Sequence, residues 1–106
     1  MPIEEPSGAT VVRQPGGPQT GRAAEAILQS EGLEPRAWSN GPGARYAPHR
    51  HELHKVLYCV AGDIVFHVGD VDVALEAGDR FDLDPGVEHA ATAGARGVEC
   101  VEAYRA

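Results

Sequence analysis

From Pro35 onward apolar and polar residues alternate with a period of two, and glycine-rich turn signals interrupt the alternation at short intervals. Residues 36–39, around Trp38, predict a strand that ends at Asn40-Gly41-Pro42-Gly43. Residues 55–60 form the next, turned back by Ala61-Gly62-Asp63 into 64–68, where Gly69-Asp70 turns the chain again. Residues 71–76 alternate cleanly, as do 80–83 after Gly78-Asp79, and two last strands fall at 89–92 and 98–104. Many short strands joined by such turns predict an all-β sandwich or barrel with Leu57, Val73, Leu75, Phe81 and Leu83 inside.

The first third of the chain has a different period. Pro2, Pro6, Pro15 and Pro18, with Gly8, Gly16 and Gly17, predict an extended N-terminal arm over 1–18. Within it, residues 10–13 can form a short strand against a sheet edge or a partner subunit. Ala23, Ala24, Ile27 and Leu28 then recur at helical spacing, with Thr20 placed to cap the start and Gly32 to stop the end. This predicts one short α-helix over 20–31, in a single domain over 19–106 whose barrel spans about 36–104.

At 106 residues, 42% hydrophobic and 24% charged, the chain has material for one core and no more. A net charge of -7 without a basic stripe disfavours nucleic acid as a partner. No apolar run approaches the roughly 18–20 residues that span a bilayer. The acidic, proline-broken start is unlike a signal peptide, so a cytoplasmic location is expected. Cys59 and Cys100 sit in separate apolar runs, which predicts two buried free thiols. A homodimer is expected because the arm and helix need a surface to pack on; the alternative is a helix that covers its own barrel.

His49 and His51 are one residue apart, a spacing that on a strand projects both to one face. His89 lies 38 positions after His51 and joins them only if the sheet curls back on itself. Neutral imidazole binds zinc, iron, copper, nickel and manganese, so three converging rings would suffice for a site. A surface pair or hydrogen-bonded core histidines would give the same spacing.

The surroundings narrow this. Gly43, five residues, His49-Arg50-His51, three residues, Lys55, six residues and Gly62 resemble the first cupin motif at every spacing. Gly78 through Asp84-Pro85-Gly86-Val87-Glu88-His89 resembles the second, with its proline displaced by one and its asparagine replaced by Ala93. Over residues 36–104 the chain is therefore similar to the small, RmlC-like single-domain cupins. The resemblance implies a double-stranded β-helix, or jelly-roll barrel, holding a divalent metal (zinc, iron, manganese or nickel) through His49, His51 and His89. In the family a glutamate usually completes the set, and its place here belongs to Lys55.

An ammonium group a few ångströms from a divalent cation is repelled by roughly several kcal/mol at an effective dielectric near 20. Four arrangements are open. The histidines hold metal while Lys55 turns aside; Lys55 is deprotonated by burial and acts as base or ligand; Lys55 stays charged and holds an anionic substrate; or metal is absent and Lys55 pairs with Glu52 or Asp82. A solvated strand end is the plain alternative, although parity from His49 through His51 and Leu53 turns Lys55 inward unless a turn intervenes. The functions implied are a metal-dependent oxygenase, isomerase or lyase acting on a small molecule at Lys55, or a metal-free or non-catalytic small-molecule-binding or sensory cupin. Among the other candidates, His54 and Glu52 are expected in solvated turns, His67 at a barrel edge and Glu88 on the face opposite His89. Tyr58 and Tyr104 are open between pocket rim and outer face, and Cys59 is expected inward.

Overall fold

The computed structural model describes residues 6–14 and 16–106. Its elements are β1 (Ala9–Val12), α1 (Gly21–Ser30), β2 (Arg36–Asn40), β3 (Arg45–His49), β4 (His54–Val68), β5 (Val71–Glu76), β6 (Arg80–Leu83) and β7 (His89–Arg105). Two of these, β4 and β7, run antiparallel along most of their length and carry the topology. The first half of β4 and the second half of β7 lie in a sheet ordered β1-β6-β4-β7-β2. Their other halves pair with β5 and β3 respectively. Because both long strands serve two sets of neighbours, the sheet folds over itself into a jelly-roll barrel, the predicted all-β class.

The predicted turn at 61–63 and the predicted break between 92 and 98 are both absent. Each is a bend within one continuous strand. The β4–β7 register slips between Cys59 and Ala61 and again between Gly62 and Ile64, so the extra residues are absorbed as bulges. Gly62 has φ 69° and Gly97 φ 79°, and a Cβ on Gly62 would collide with the Gly97 carbonyl. The glycines that read as turn signals let the strands bend and approach, which is what closing a barrel requires.

Strand alternation divides the core in two. Leu57, Cys59, Ile64, Phe66, Val73, Leu75, Phe81 and Leu83 fill the barrel. Val56, Tyr58 and Val60 of β4, with Val101 and Ala103 of β7, point outward, where Ala24 and Leu28 of α1 cover them. Burial on both faces explains why residues 56–60 are apolar without alternation. The helix starts where predicted, with the Thr20 hydroxyl accepting a hydrogen bond from the Ala23 N–H at 3.1 Å. Its C-terminal end is clipped to the sheet: Glu31 accepts from Arg80 at 2.6 and 3.1 Å and from Arg105 at 3.0 Å. Leu28→Ala should therefore cost about 2–5 kcal/mol in urea unfolding while leaving the barrel interior untouched.

Within the N-terminal stretch, β1 pairs with β6 of its own chain, from Ala9 opposite Leu83 to Val12 opposite Arg80. Arg13 extends that docking with a 3.0 Å ion pair to Asp79. Among the described residues no helix is long and apolar enough to cross a membrane.

Candidate metal centre and cavity

Strand register creates the histidine cluster. His49 at the end of β3 stands opposite His89 at the start of β7. His51 lies beyond the strand, in the link to β4, and its carbonyl accepts the Gly86 N–H at 2.8 Å. That bond ties the Asp84-Pro85-Gly86 turn to the His-x-His segment. Ring centroids lie 4.3 Å apart for His49 and His89, 4.9 Å for His49 and His51, and 5.1 Å for His51 and His89. One nitrogen from each ring falls within 4.8 Å of the others, so the three are positioned to bind a metal ion.

The tautomers suit that task. The Nδ1 atoms of His49 and His89 lie 2.7 and 3.0 Å from the carbonyls of Ala47 and Val87. A carbonyl can only accept, so each Nδ1 carries the proton and leaves its Nε2 with a free lone pair. Among the described residues the buried Nε2 atoms of His51 and His89 have no hydrogen-bond partner. An unsatisfied buried polar atom costs about 1–3 kcal/mol, and a cation between the rings would relieve two at once.

Burial pushes His89 down to about 4, the Val87 carbonyl opposing and the charges of His49 and Lys55 reinforcing the shift. His51 is also lowered, by burial first and then by Lys55 and His49. Between about 4 and the ordinary 6.5 the folded chain thus binds fewer protons at His89 than the unfolded chain does. This contribution to stability is complete above pH 6.5 and is lost as pH falls toward 4. Metal-free protein should show a urea midpoint that drops across this window. His89→Gln should flatten the drop, and equal slopes in the two proteins would contradict the shift.

Lys55 is inward and buried, on the same side of β4 as Leu57 and Cys59. The link at 50–53 breaks the strand but not the parity. Its partner is neither Glu52, which is exposed, nor Asp82, which is taken by His54 at 3.0 Å and Arg80 at 2.9 Å. Lys55 Nζ instead pairs with Glu102 Oε1 at 2.9 Å. Glu102 also accepts from Trp38 Nε1 at 2.8 Å and the Tyr104 hydroxyl at 3.3 Å. Burial works to raise the Glu102 carboxyl, but the Lys55 charge and these hydrogen bonds outweigh it and hold it below the ordinary range. Burial, then Glu102, pushes Tyr104 up to about 12. Glu102 is the site residue that reading the chain missed. The signal was available in the alternation Val98, Cys100, Glu102, Tyr104, which places a carboxylate in the inward row.

Beside the histidines opens a cavity of about 320 Å³ with Trp38, Tyr46, Phe66 and Tyr104 on its walls and Lys55 and Glu102 at one side. It suits a small molecule. The remaining candidates fall outside it. His54 is on β4 and bound to Asp82, not in a turn; His67 is partly exposed, held between Asp72 at 2.8 Å and Thr92 at 3.0 Å; Glu88 reaches Arg50 at 3.3 Å on the surface. Tyr58 faces the helix, so of the two tyrosines only Tyr104 reaches the cavity.

The cupin domain family model matches residues 38–102. The chain belongs to the cupin family. Among solved structures this cupin is similar to an RmlC-like cupin from Shewanella frigidimarina, at 29% identity and a TM-score of 0.62, over 68% of this chain and 64% of that one. It is similar to a DMSP lyase described with RdDddP and RnDddQII, at 25% identity and a TM-score of 0.65, over 70% and 38% of the two chains. The fold is shared with YcfD, a ribosomal oxygenase from Escherichia coli in complex with cobalt and succinic acid, at 18% identity and a TM-score of 0.69, over 80% and 28%. The cupin thus spans less than two thirds of the length of each of these relatives. No curated protein sequence matches it.

Proposed function

We propose that this cupin holds one divalent metal ion through His49, His51 and His89 and binds or transforms a small molecule in the adjoining cavity, with Lys55 as its catalytic residue. The observation that carries the reading is the pair of buried Nε2 atoms, unpartnered among the described residues, that converge with His49. Zinc, iron, manganese and nickel all accept imidazole and would supply Lewis-acid or redox chemistry there. Glu102 answers the difficulty raised by a lysine near a cation: it lies against Nζ and offsets the charge that would oppose the ion. Lys55 can then hold an anionic group of the ligand, with Trp38 and Tyr104 fixing the carboxylate that orients it. Lyase, isomerase or oxygenase chemistry fits this arrangement, and the similarity to a DMSP lyase at 25% identity supports a reactive centre. A homodimer is part of the proposal.

The test is metal titration of purified protein, followed by Lys55→Glu combined with Glu102→Gln, which restores a carboxylate without leaving it beside another. Wild type should take up about one equivalent of a first-row metal, and the double variant should bind more tightly. A wild type that refuses all four metals overturns the reading. One observation favours a metal-free, non-catalytic alternative: the Lys55–Glu102 pair is already closed and needs no ion to complete it. Under that alternative a chelator would leave small-molecule binding unchanged.

A further inference from the structure

Cys59 on β4 and Cys100 on β7 stand directly opposite each other. The Cys59 N–H donates to the Asp79 carbonyl at 3.0 Å, and the Cys59 carbonyl accepts from the Gly78 N–H at 2.8 Å. Both backbone groups of Cys59 therefore point away from β7, which makes Cys59–Cys100 a narrow, non-hydrogen-bonded pair. In such pairs Cα atoms lie about 4.5 Å apart with side chains at their closest, inside the roughly 4.4–6.8 Å window that a disulfide needs. Both side chains point into the barrel, both are fully buried, and both are free thiols. The Cys59 thiol donates to the carbonyls of Ala61 and Gly62 at 3.7 and 3.8 Å, where the strand bends beside Cys100. Alanine or valine would fill this space equally well; two thiols in register add chemistry that packing does not require.

We propose that Cys59 and Cys100, both closed off from solvent, form a reversible dithiol–disulfide pair that hydrogen peroxide oxidises slowly, on local opening of the barrel wall. Trp38 pairs with Cys100 on the neighbouring strand β2 and lines the ligand cavity, so the state of the sulfurs reaches the ligand site through one ring. The proximity of the two thiols lowers Cys59 and raises Cys100, which favours Cys59 as the attacking group. The Cys59 thiolate attacks a peroxide oxygen: an S–O bond forms, the O–O bond breaks, and water leaves after protonation. Cys100 then attacks the Cys59 sulfenic acid: the S–S bond forms, the S–O bond breaks, and a second water leaves. The two thiols lose two electrons in all, and the peroxide takes them up. The resulting cross-link joins the two long strands.

The full chain, treated with chelator and then with hydrogen peroxide in excess, tests this directly. Alkylation in denaturant with intact-mass analysis should show loss of two hydrogen atoms and protection of both cysteines. Trp38 fluorescence, from the sole tryptophan, should fall, the thermal midpoint should rise by several degrees, and dithiothreitol should reverse all three. Cys100→Ala should stop at a dimedone-trappable sulfenic acid on Cys59, while Cys59→Ala should react more than about tenfold more slowly. Two alkylatable thiols after treatment, independent oxygen addition to each, or disulfides between chains would each overturn the pairing. The wild-type mass alone decides the question if a variant fails to fold.

Discussion

Glu102→Ala is expected to destabilise the protein by about 3–5 kcal/mol, the cost of leaving one member of a buried ion pair without its partner. The side chains of Lys55 and Glu102 are 9% and 13% exposed, so water cannot replace the lost carboxylate without entering the barrel. The Trp38 Nε1–H would lose its acceptor in the same step. Against a total stability of about 5–15 kcal/mol for an ordinary domain, such a loss is a large fraction. Lys55→Met in the same background should recover much of it, because it removes the unpaired buried ammonium; the cavity at residue 102 and the orphaned Trp38 N–H account for what stays lost. Urea unfolding of wild type, both single variants and the double variant gives the coupling energy directly. A Glu102→Ala cost below about 1 kcal/mol would mean that the pair is screened like a surface ion pair and that its enclosure is unimportant.

The other large effect concerns the histidines. His49→Ala combined with His89→Ala should weaken metal binding by well over about 100-fold, since removing a group that only orients a ligand already costs about 10–100-fold. The two residues face each other across the β3–β7 ladder, and the double variant removes that whole side of the cluster. Competition against a chromophoric chelator, with Leu28→Ala as a variant damaged on the opposite face of the wall, separates loss of ligands from loss of fold. Equal metal content in wild type and the double variant would sink the three-histidine site.

Much of this fold was legible in the chain. Period-two alternation located β2, β5 and β6 closely, and the Thr20 cap with apolar spacing located α1. Gly62 marks in the sequence a place where the backbone departs from extended geometry, and the structure makes it a bend within β4 and not a reversal. The distinction lies in whether the two flanking segments pair with each other or both continue along β7, and no local signal carries that information. The strand at 45–49 leaves no signal in the sequence because its Pro48 and mostly exposed residues lack an apolar face.

At the site, spacing brought His49, His51 and His89 forward and turned Lys55 inward, since glycine positions and strand parity are properties of the sequence itself. Partnership is not such a property. Glu52 is three residues from Lys55 and Asp82 lies on an adjacent strand, yet the carboxylate that binds Lys55 is Glu102, brought beside it by the register of β4 against β7. The same register sets Cys59 against Cys100, while the β3–β7 register sets His49 against His89, whose Nε2, like that of His51, has no hydrogen-bond partner among the described residues. Sequence determined which side chains face the interior, because that follows from local backbone period. Only the tertiary structure decided which of them meet, because antiparallel register couples positions far apart in the chain through hydrogen bonds that no local pattern encodes.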